Sequence, residues 1–418
     1  MQDAAAPDYY DKFQCNGPEC PDTCCSGWSV HIDRETYHQY RRNQHPVLAP
    51  LVKLAVKKNP SPHADNENTF GVMQMRPDGA CHFLQTDRLC MIQNVLGEKA
   101  LSDTCRIYPR YLNRFGPQRE KALGISCPQA ARLILLNPQP IQFVTAKPEP
   151  AIDGLSFTSY RFPLQSDGDP EQIAILNDMR AVIIGILQCR SLSIGARVMV
   201  LGFMLGELDQ ITTSPAFAHA SEIVPVLQAF VAMLDHPEQL ELQFTQLQGN
   251  LPRKLTVAAQ LIGKFMGERT NPRFAQCLSA AAQGLGVVEG VTDLESAILK
   301  AYTQANPAHY QPYMQDRAYI FENYLVNEAI IRLFPFTRGS YLDLYREMVC
   351  NLAIIQVMLV GVAGYHQGLT DEWVLQTMQT FARKATHNRD HFDALLRSLH
   401  VGPQDSFIHT MWLLKETA

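Results

Sequence analysis

Asp169-Pro170-Glu-Gln-Ile173-Ala-Ile-Leu176-Asn-Asp-Met179-Arg-Ala-Val-Ile183-Ile-Gly-Ile-Leu187 is where the character of the chain changes. Ile173, Leu176, Met179, Ile183 and Leu187 recur at three- and four-residue steps, which places them on one face of an α-helix. Asp169 has the chemistry of an N-cap, and Pro170 suits the first helical position, where a missing N–H is harmless. The same period returns over 194–210, 221–234, 255–266, 273–283, 294–304, 317–334, 341–362, 371–385 and 390–399. About ten helices with short loops and no fixed-period repeat predict an all-α bundle. Within it, the apolar stretch 348–364 is interrupted by Asn351 and Gln356 and reads as a buried helix, so no membrane partner is expected. Gly284-Leu-Gly286-Val-Val-Glu-Gly290 has no preceding strand and the wrong spacing for a dinucleotide fingerprint, and reads as a loop between helices.

Upstream the periodicity dissolves into a proline-rich passage, with Asn137-Pro138-Gln139-Pro140, Lys147-Pro148-Glu149-Pro150 and Asp167-Gly168-Asp169-Pro170. Such a segment is an extended linker or an ordered strap and marks the best domain boundary. The expected organisation is therefore a Cys-rich domain over 1–136, a strap over 137–170, and an α-helical domain over 171–418. The first of these reads as irregular, with turns at Asn16-Gly17-Pro18 and Pro77-Asp78-Gly79 and short helices over 33–42, 51–58 and 91–100. The fold class expected for the whole is mainly α.

Composition narrows the function. The 418 residues are 46% hydrophobic and 18% charged with a net charge of -5, which excludes a disordered or collagen-like chain and makes nucleic acid a poor partner. Cysteine is the outlier. Eight of 11 cysteines (Cys15, Cys20, Cys24, Cys25, Cys81, Cys90, Cys105, Cys127) lie in the first 127 residues, where an even spread would place about three. The N-terminus has no basic segment followed by an apolar one, so a cytoplasmic protein with reduced thiols is expected. That favours metal ligation over disulfides.

Cys15-Asn-Gly-Pro-Glu-Cys20-Pro-Asp-Thr-Cys24-Cys25-Ser-Gly-Trp28 brings four thiols into a loop able to wrap a small inorganic centre. Adjacent Cys24 and Cys25 point in different directions, so only one readily serves a given centre. Zinc favours paired CxxC motifs, which are missing here, whereas an all-thiolate iron–sulfur cluster tolerates irregular spacing. Disulfides and unligated thiols are the remaining readings. Eight candidates exceed the four that one cubane takes, so some are structural or a second metal is present.

Cys20-x3-Cys24-Cys25-Ser-Gly-Trp28 with Ile32-Asp33, Cys81-x-Phe83-Leu84, Cys90-x-Ile92-Gln93, Cys105-Arg106-x-Tyr108-Pro109-Arg110 and Ser126-Cys127-Pro128 resemble the flagellin lysine-N-methylases across roughly residues 10–130. The resemblance continues through Phe321-Glu322-Asn323-Tyr324-Leu325-Val326-Asn327 and Phe334-Pro335-Phe336, and the cysteine elements are shared more loosely with small zinc- or iron-chelating proteins. It implies methyl transfer from S-adenosylmethionine to flagellin lysines, with a [4Fe-4S] cluster in the enzyme. Two other readings stay open. One is a metal-binding or redox-sensing module that engages a protein partner, and the other is a radical-type cluster enzyme on another substrate.

That chemistry suggests roles to test. Arg106 and Arg110 are candidates to grip the donor's carboxylate, against a salt-bridge role. Trp28 is a candidate to stack on adenine, against core packing, and Asp33 to bind ribose, against helix capping. Asn323, Tyr324 and Asn327 are candidates to orient the target lysine, against buried ties between helices. His387 and His391, four apart, lack a third ligand and read as a solvated helix face.

Overall fold

The computed structural model describes residues 4–61, 67–150, 152, 155, 158–159, 169–268, 271–288, 290–336, 340–386 and 405–415. Chain order begins with strand β1 (Ala4–Pro7) and a thiol-bearing loop, then β2 (His31–Ile32), α1 (Arg34–Arg42), α2 (Leu48–Ala55), β3 (Val56–Lys58) and β4 (Gly71–Met73). Strands β2, β4 and β3 form a small antiparallel sheet in that spatial order. Helices α3 (Met91–Leu96) and α4 (Asp103–Ile107) complete this part. Its apolar residues, among them Val30, Ile32, Tyr40, Phe83, Ile92 and Leu101, make a core of their own.

The chain then turns back through β5 (Arg110–Phe115) and β6 (Gln118–Leu123), an antiparallel hairpin with Phe115 opposite Gln118. Gly116 opens its two-residue loop at φ +57, a conformation that suits glycine, and a Cβ there would meet Ile173 at 2.8 Å. After α5 (Pro128–Leu135), β7 (Phe143–Thr145) pairs with β1, and β8 (Thr158–Ser159) pairs with β5. The resulting five-stranded mixed sheet runs β7-β1-β6-β5-β8. In the described part of the proline-rich passage, β7 and β8 extend this sheet and Glu149 accepts from Tyr10 at 2.6 Å and from Arg110 at 3.0 Å. The strands were not legible as such upstream, although the Gly116-Pro117 loop carries a hairpin signal.

The rest is helical, as the periodicity implies: α6 (Pro170–Leu187), α7 (Ile194–Thr212), α8 (Val224–Met233), α9 (Pro237–Gln246), α10 (Leu251–Gly267), α11 (Pro272–Gly284), α12 (Leu294–Ala305), α13 (Gln311–Met314), α14 (Tyr319–Ile331), α15 (Tyr341–His366), α16 (Asp371–Thr386) and α17 (Asp405–Trp412). Asp169 caps α6 by accepting from Glu171 N at 3.0 Å. The axis of the body is α15, whose most apolar window is 89% buried within the protein. Helices α7, α10, α11, α12, α16 and α17 surround it. Gly284 at the end of α11 lies so close to α15 that a Cβ would come within 1.8 Å of Gly361 O, so glycine there permits backbone contact. The second core joins these helices to Ala6, Phe115 and Leu123 of the sheet, to Tyr9 just after β1, and to α5. The segment 390–399, His387 and His391 lie outside the described residues.

Candidate functional site

Three segments carry thiols into the smaller core, and backbone hydrogen bonds stitch them together. The loop 24–28 runs beside 79–81: Cys81 N donates to Cys25 O at 2.7 Å and Gly27 N to Gly79 O at 3.1 Å. Cys81 is linked onward to Cys90, because Met91 N donates to Phe83 O at 2.8 Å and Leu84 bridges Cys90. Cys90 stands at the N-cap of α3, and Cys105 lies inside α4. These elements are too short to be stable alone, so the packing and cross-links hold them.

Together they surround a cavity of about 80 Å³ lined by Cys24, Cys25, Cys81, Cys90 and Cys105, with apolar walls that include Trp28, Tyr40 and Phe83. The Cys105 thiol lies within electrostatic range of Cys90, Cys24 and Cys81. Burial pushes the Cys81 thiol up to about 11 and Cys105 up to about 12, so both are protonated at neutral pH without a metal. Backbone N–H groups of Phe83 and Leu84 oppose that rise at Cys81, as those of Gln93 and Ile92 do at Cys90. Hydrogen bonds of this kind stabilise a ligating thiolate.

A single zinc ion at Zn–S distances near 2.3 Å requires sulfurs roughly 4 Å apart. Among the described residues, no three Cys, His, Asp or Glu side chains converge in this way; the thiols stand around a cavity instead. All 11 cysteines are free thiols. Five soft ligands around one largely apolar space have the chemistry that a polynuclear thiolate centre such as [4Fe-4S] takes. The other three N-terminal thiols lie outside this lining. Cys20 is within electrostatic range of Cys15 and Cys24, and Cys127, the N-cap residue of α5, is within range of Cys20 and Cys24. Burial pushes Cys127 up to about 12.

A seam joins this module to the helical body. The Asp22 carboxylate is buried, with Arg383 Nη1 of α16 at 2.8 Å. It accepts from Gln379 Nε2 at 3.1 Å and from Asn271 Nδ2, at the N-cap of α11, at 2.7 Å. Arg383 Nη2 also donates to Thr23 O at 2.9 Å and to Ser26 O. None of Asp22, Asn271, Gln379 and Arg383 stood out in the sequence. A signal was present, since Gln376, Gln379, Thr380 and Arg383 form a polar stripe at helical spacing on a helix that is otherwise apolar inward.

The family model described as FliB lysine N-methylase C-terminal domain matches residues 180–412, more than half of the chain. The chain belongs to the FliB lysine N-methylase family. It is 24% identical over 430 residues to the Lysine-N-methylase of Salmonella typhimurium (strain LT2), covering 97% of this chain and 98% of that protein. The protein of the same name from Salmonella choleraesuis matches to the same extent. The Flagellar biosynthetic protein FliU of Salmonella muenchen is 30% identical over 135 residues, 32% of this chain and 76% of that protein. No solved structure matches.

The residues singled out from the methylase resemblance are scattered. Trp28 lines the cavity, donates from Nε1 to Cys24 O at 2.6 Å, and lies 5.4 Å from the Tyr108 ring. Asp33 caps α1 by accepting from Thr36 N at 2.8 Å, while its other oxygen accepts from Asp103 N at 3.1 Å. Arg106 pairs with Asp103 on its own helix. Arg110 pairs with Glu149 and lies over the Phe13 ring. Asn323, Tyr324 and Asn327 are buried on α14, and none of them lines the thiol cavity. Asn323 Nδ2 donates to Ile134 O at 2.9 Å and Asn137 O at 2.7 Å, tying α14 to the end of α5, and Asn327 Oδ1 accepts from the Tyr9 hydroxyl. Of the candidates for donor and lysine, the structure brings Trp28 alone to the cavity wall.

Proposed function

We propose that this chain is a protein-lysine N-methyltransferase that moves a methyl group from S-adenosylmethionine to lysines of flagellin, with a [4Fe-4S] cluster held in the thiol-lined cavity. Support for the methylase reading comes from membership of the lysine N-methylase family and a match spanning 97% of the chain. The flagellin target has support from the flagellar name of a further relative.

Cys24, Cys81, Cys90 and Cys105 are the four ligands we assign, because Cys105 neighbours the other three and all four line one cavity. Cys25 directs its carbonyl to Cys81 N and so positions a ligand-bearing strand. When bound, the cluster supplies an iron centre whose charge and potential its thiolates and their hydrogen bonds set. Trp28 ties its indole to the Cys24 backbone and forms part of the cavity wall.

The test is anaerobic purification with iron and acid-labile sulfide analysis, followed by incubation with S-adenosylmethionine and flagellin. Methylated flagellin lysines in the mass spectrum, with S-adenosylhomocysteine as co-product, are the expected result. Iron-loaded protein that leaves flagellin unmodified overturns the transferase reading in favour of a metal-binding module. Formation of 5′-deoxyadenosine points instead to radical chemistry.

A further inference from the structure

The seam between module and helical body has more polar investment than a simple domain contact needs. Arg383 reaches out of α16, is 7% exposed, and spends its guanidinium on Asp22, Thr23 O and Ser26 O. Those three residues bracket the Cys24-Cys25 step on both sides. Replacing a buried ion pair by apolar packing often leaves stability unchanged or improved, so stability alone is a weak reason for one here. The planar fork suits the geometry, because only arginine presents several donors in fixed directions to two carbonyls and a carboxylate.

We propose that Arg383 is a positioning residue for the thiol cavity: paired with Asp22, its guanidinium clamps the Cys24-Cys25 loop from the helical body through the carbonyls of Thr23 and Ser26 and holds a cation on that side of the cluster. The proposal rests on the cluster reading above. Burial opposes the charge of Arg383, but the Asp22 carboxylate together with Tyr108 and Cys24 more than offsets it and favours the protonated guanidinium. Asp22 is itself held by Gln379 and Asn271, so the clamp is anchored in α16 and at the N-terminus of α11. Gln379 Nε2 also donates to Ser126 O at 2.7 Å, next to Cys127, which draws that thiol into the same seam. A cation near an anionic cluster favours its more negative, reduced state and raises its midpoint potential. Through this contact, any shift of α16 is felt at the Cys24 ligand.

The experiment compares full-length wild type, Arg383→Gln and Arg383→Lys, each purified anaerobically. Iron and sulfide content, the rate of cluster loss to a chelator, and the midpoint potential are read alongside circular dichroism. For Arg383→Gln with native helicity, the expected result is several-fold faster loss of iron and a more negative midpoint. Arg383→Lys restores the charge without the fork, so it recovers the midpoint and only part of the retention. A folded Arg383→Gln variant with wild-type retention and midpoint overturns the proposal. Should that variant fail to fold, wild-type retention in Arg383→Lys overturns it instead. Wild-type protein lacking iron and sulfide overturns the cluster reading itself, a failure recognisable before any substitution is made.

Discussion

The two cores of this molecule are built on opposite principles. The larger one is closed around α15 by backbone and side-chain contact as tight as Gly284 against Gly361. The smaller one, around Ile32, Phe83 and Ile92, encloses a cavity whose wall is one-third thiol, five of the 14 lining residues. A filled core draws its stability from apolar burial and dispersion, whereas short strands and one-turn helices around a void lack those contacts. If the cluster proposed above is present, the helical body folds by packing alone and the Cys-rich module by packing around that cluster.

The largest expected effect separates the two directly. Cys105→Ser removes the thiol that neighbours the other three proposed ligands, and on that proposal we expect loss of essentially all cluster iron while the melting of the helical body stays unchanged. Iron analysis and calorimetry check this, and Cys15→Ser, outside the cavity lining, should keep wild-type iron. Next comes the larger core. Glu322 is buried and pairs with Arg190 and Arg197, each at 2.8 Å. Glu322→Ala leaves the buried Arg197 uncompensated and should lower stability by roughly 3 to 5 kcal/mol in urea unfolding, with iron content unaffected.

A smaller effect tests the residues that looked catalytic. Asn323→Ala removes two buried hydrogen bonds and should reduce stability by about 1 to 3 kcal/mol, with kcat on flagellin retained below the melting transition. Loss of turnover in a stable Asn323→Ala protein would return that residue to the chemistry. The smallest effect is at Asp33. Asp33→Ala removes the α1 cap and should destabilise the Cys-rich module by about 0.5 to 2 kcal/mol, read as faster amide exchange over residues 34–42 and unchanged exchange in α15.

How much of this was legible varies with the range of the forces involved. The start of helix α6 was readable to the residue, because Asp169, Pro170 and the apolar face are all local signals. The hairpin of β5 and β6 was missed although Gly116 marked its turn, since its strands alternate weakly and gain their stability from α6 and α14 behind them. Helix α9 was likewise not recognised, for only Leu240 along it is buried. Asn323 and Asn327 stood out as polar residues four apart, but spacing cannot distinguish a catalytic pair from two structural ties. Their partners, Ile134 O, Asn137 O and Tyr9, lie 186 to 318 residues away.

The sequence by itself determined that the chain has a cysteine-rich beginning and a helical remainder, since thiol count and apolar period are properties of the string. It also placed eight thiols in contention for one centre without ranking them. Only the tertiary structure divided them into five that line a cavity and three that do not. The reason is physical: which thiols share a space is not written in their spacing, and residues 24, 25, 81, 90 and 105 come to share one only when segments far apart in the chain are stitched side by side. The same holds for Arg383, an ordinary basic residue near the end of α16 until the fold sets it against Asp22, 361 positions earlier.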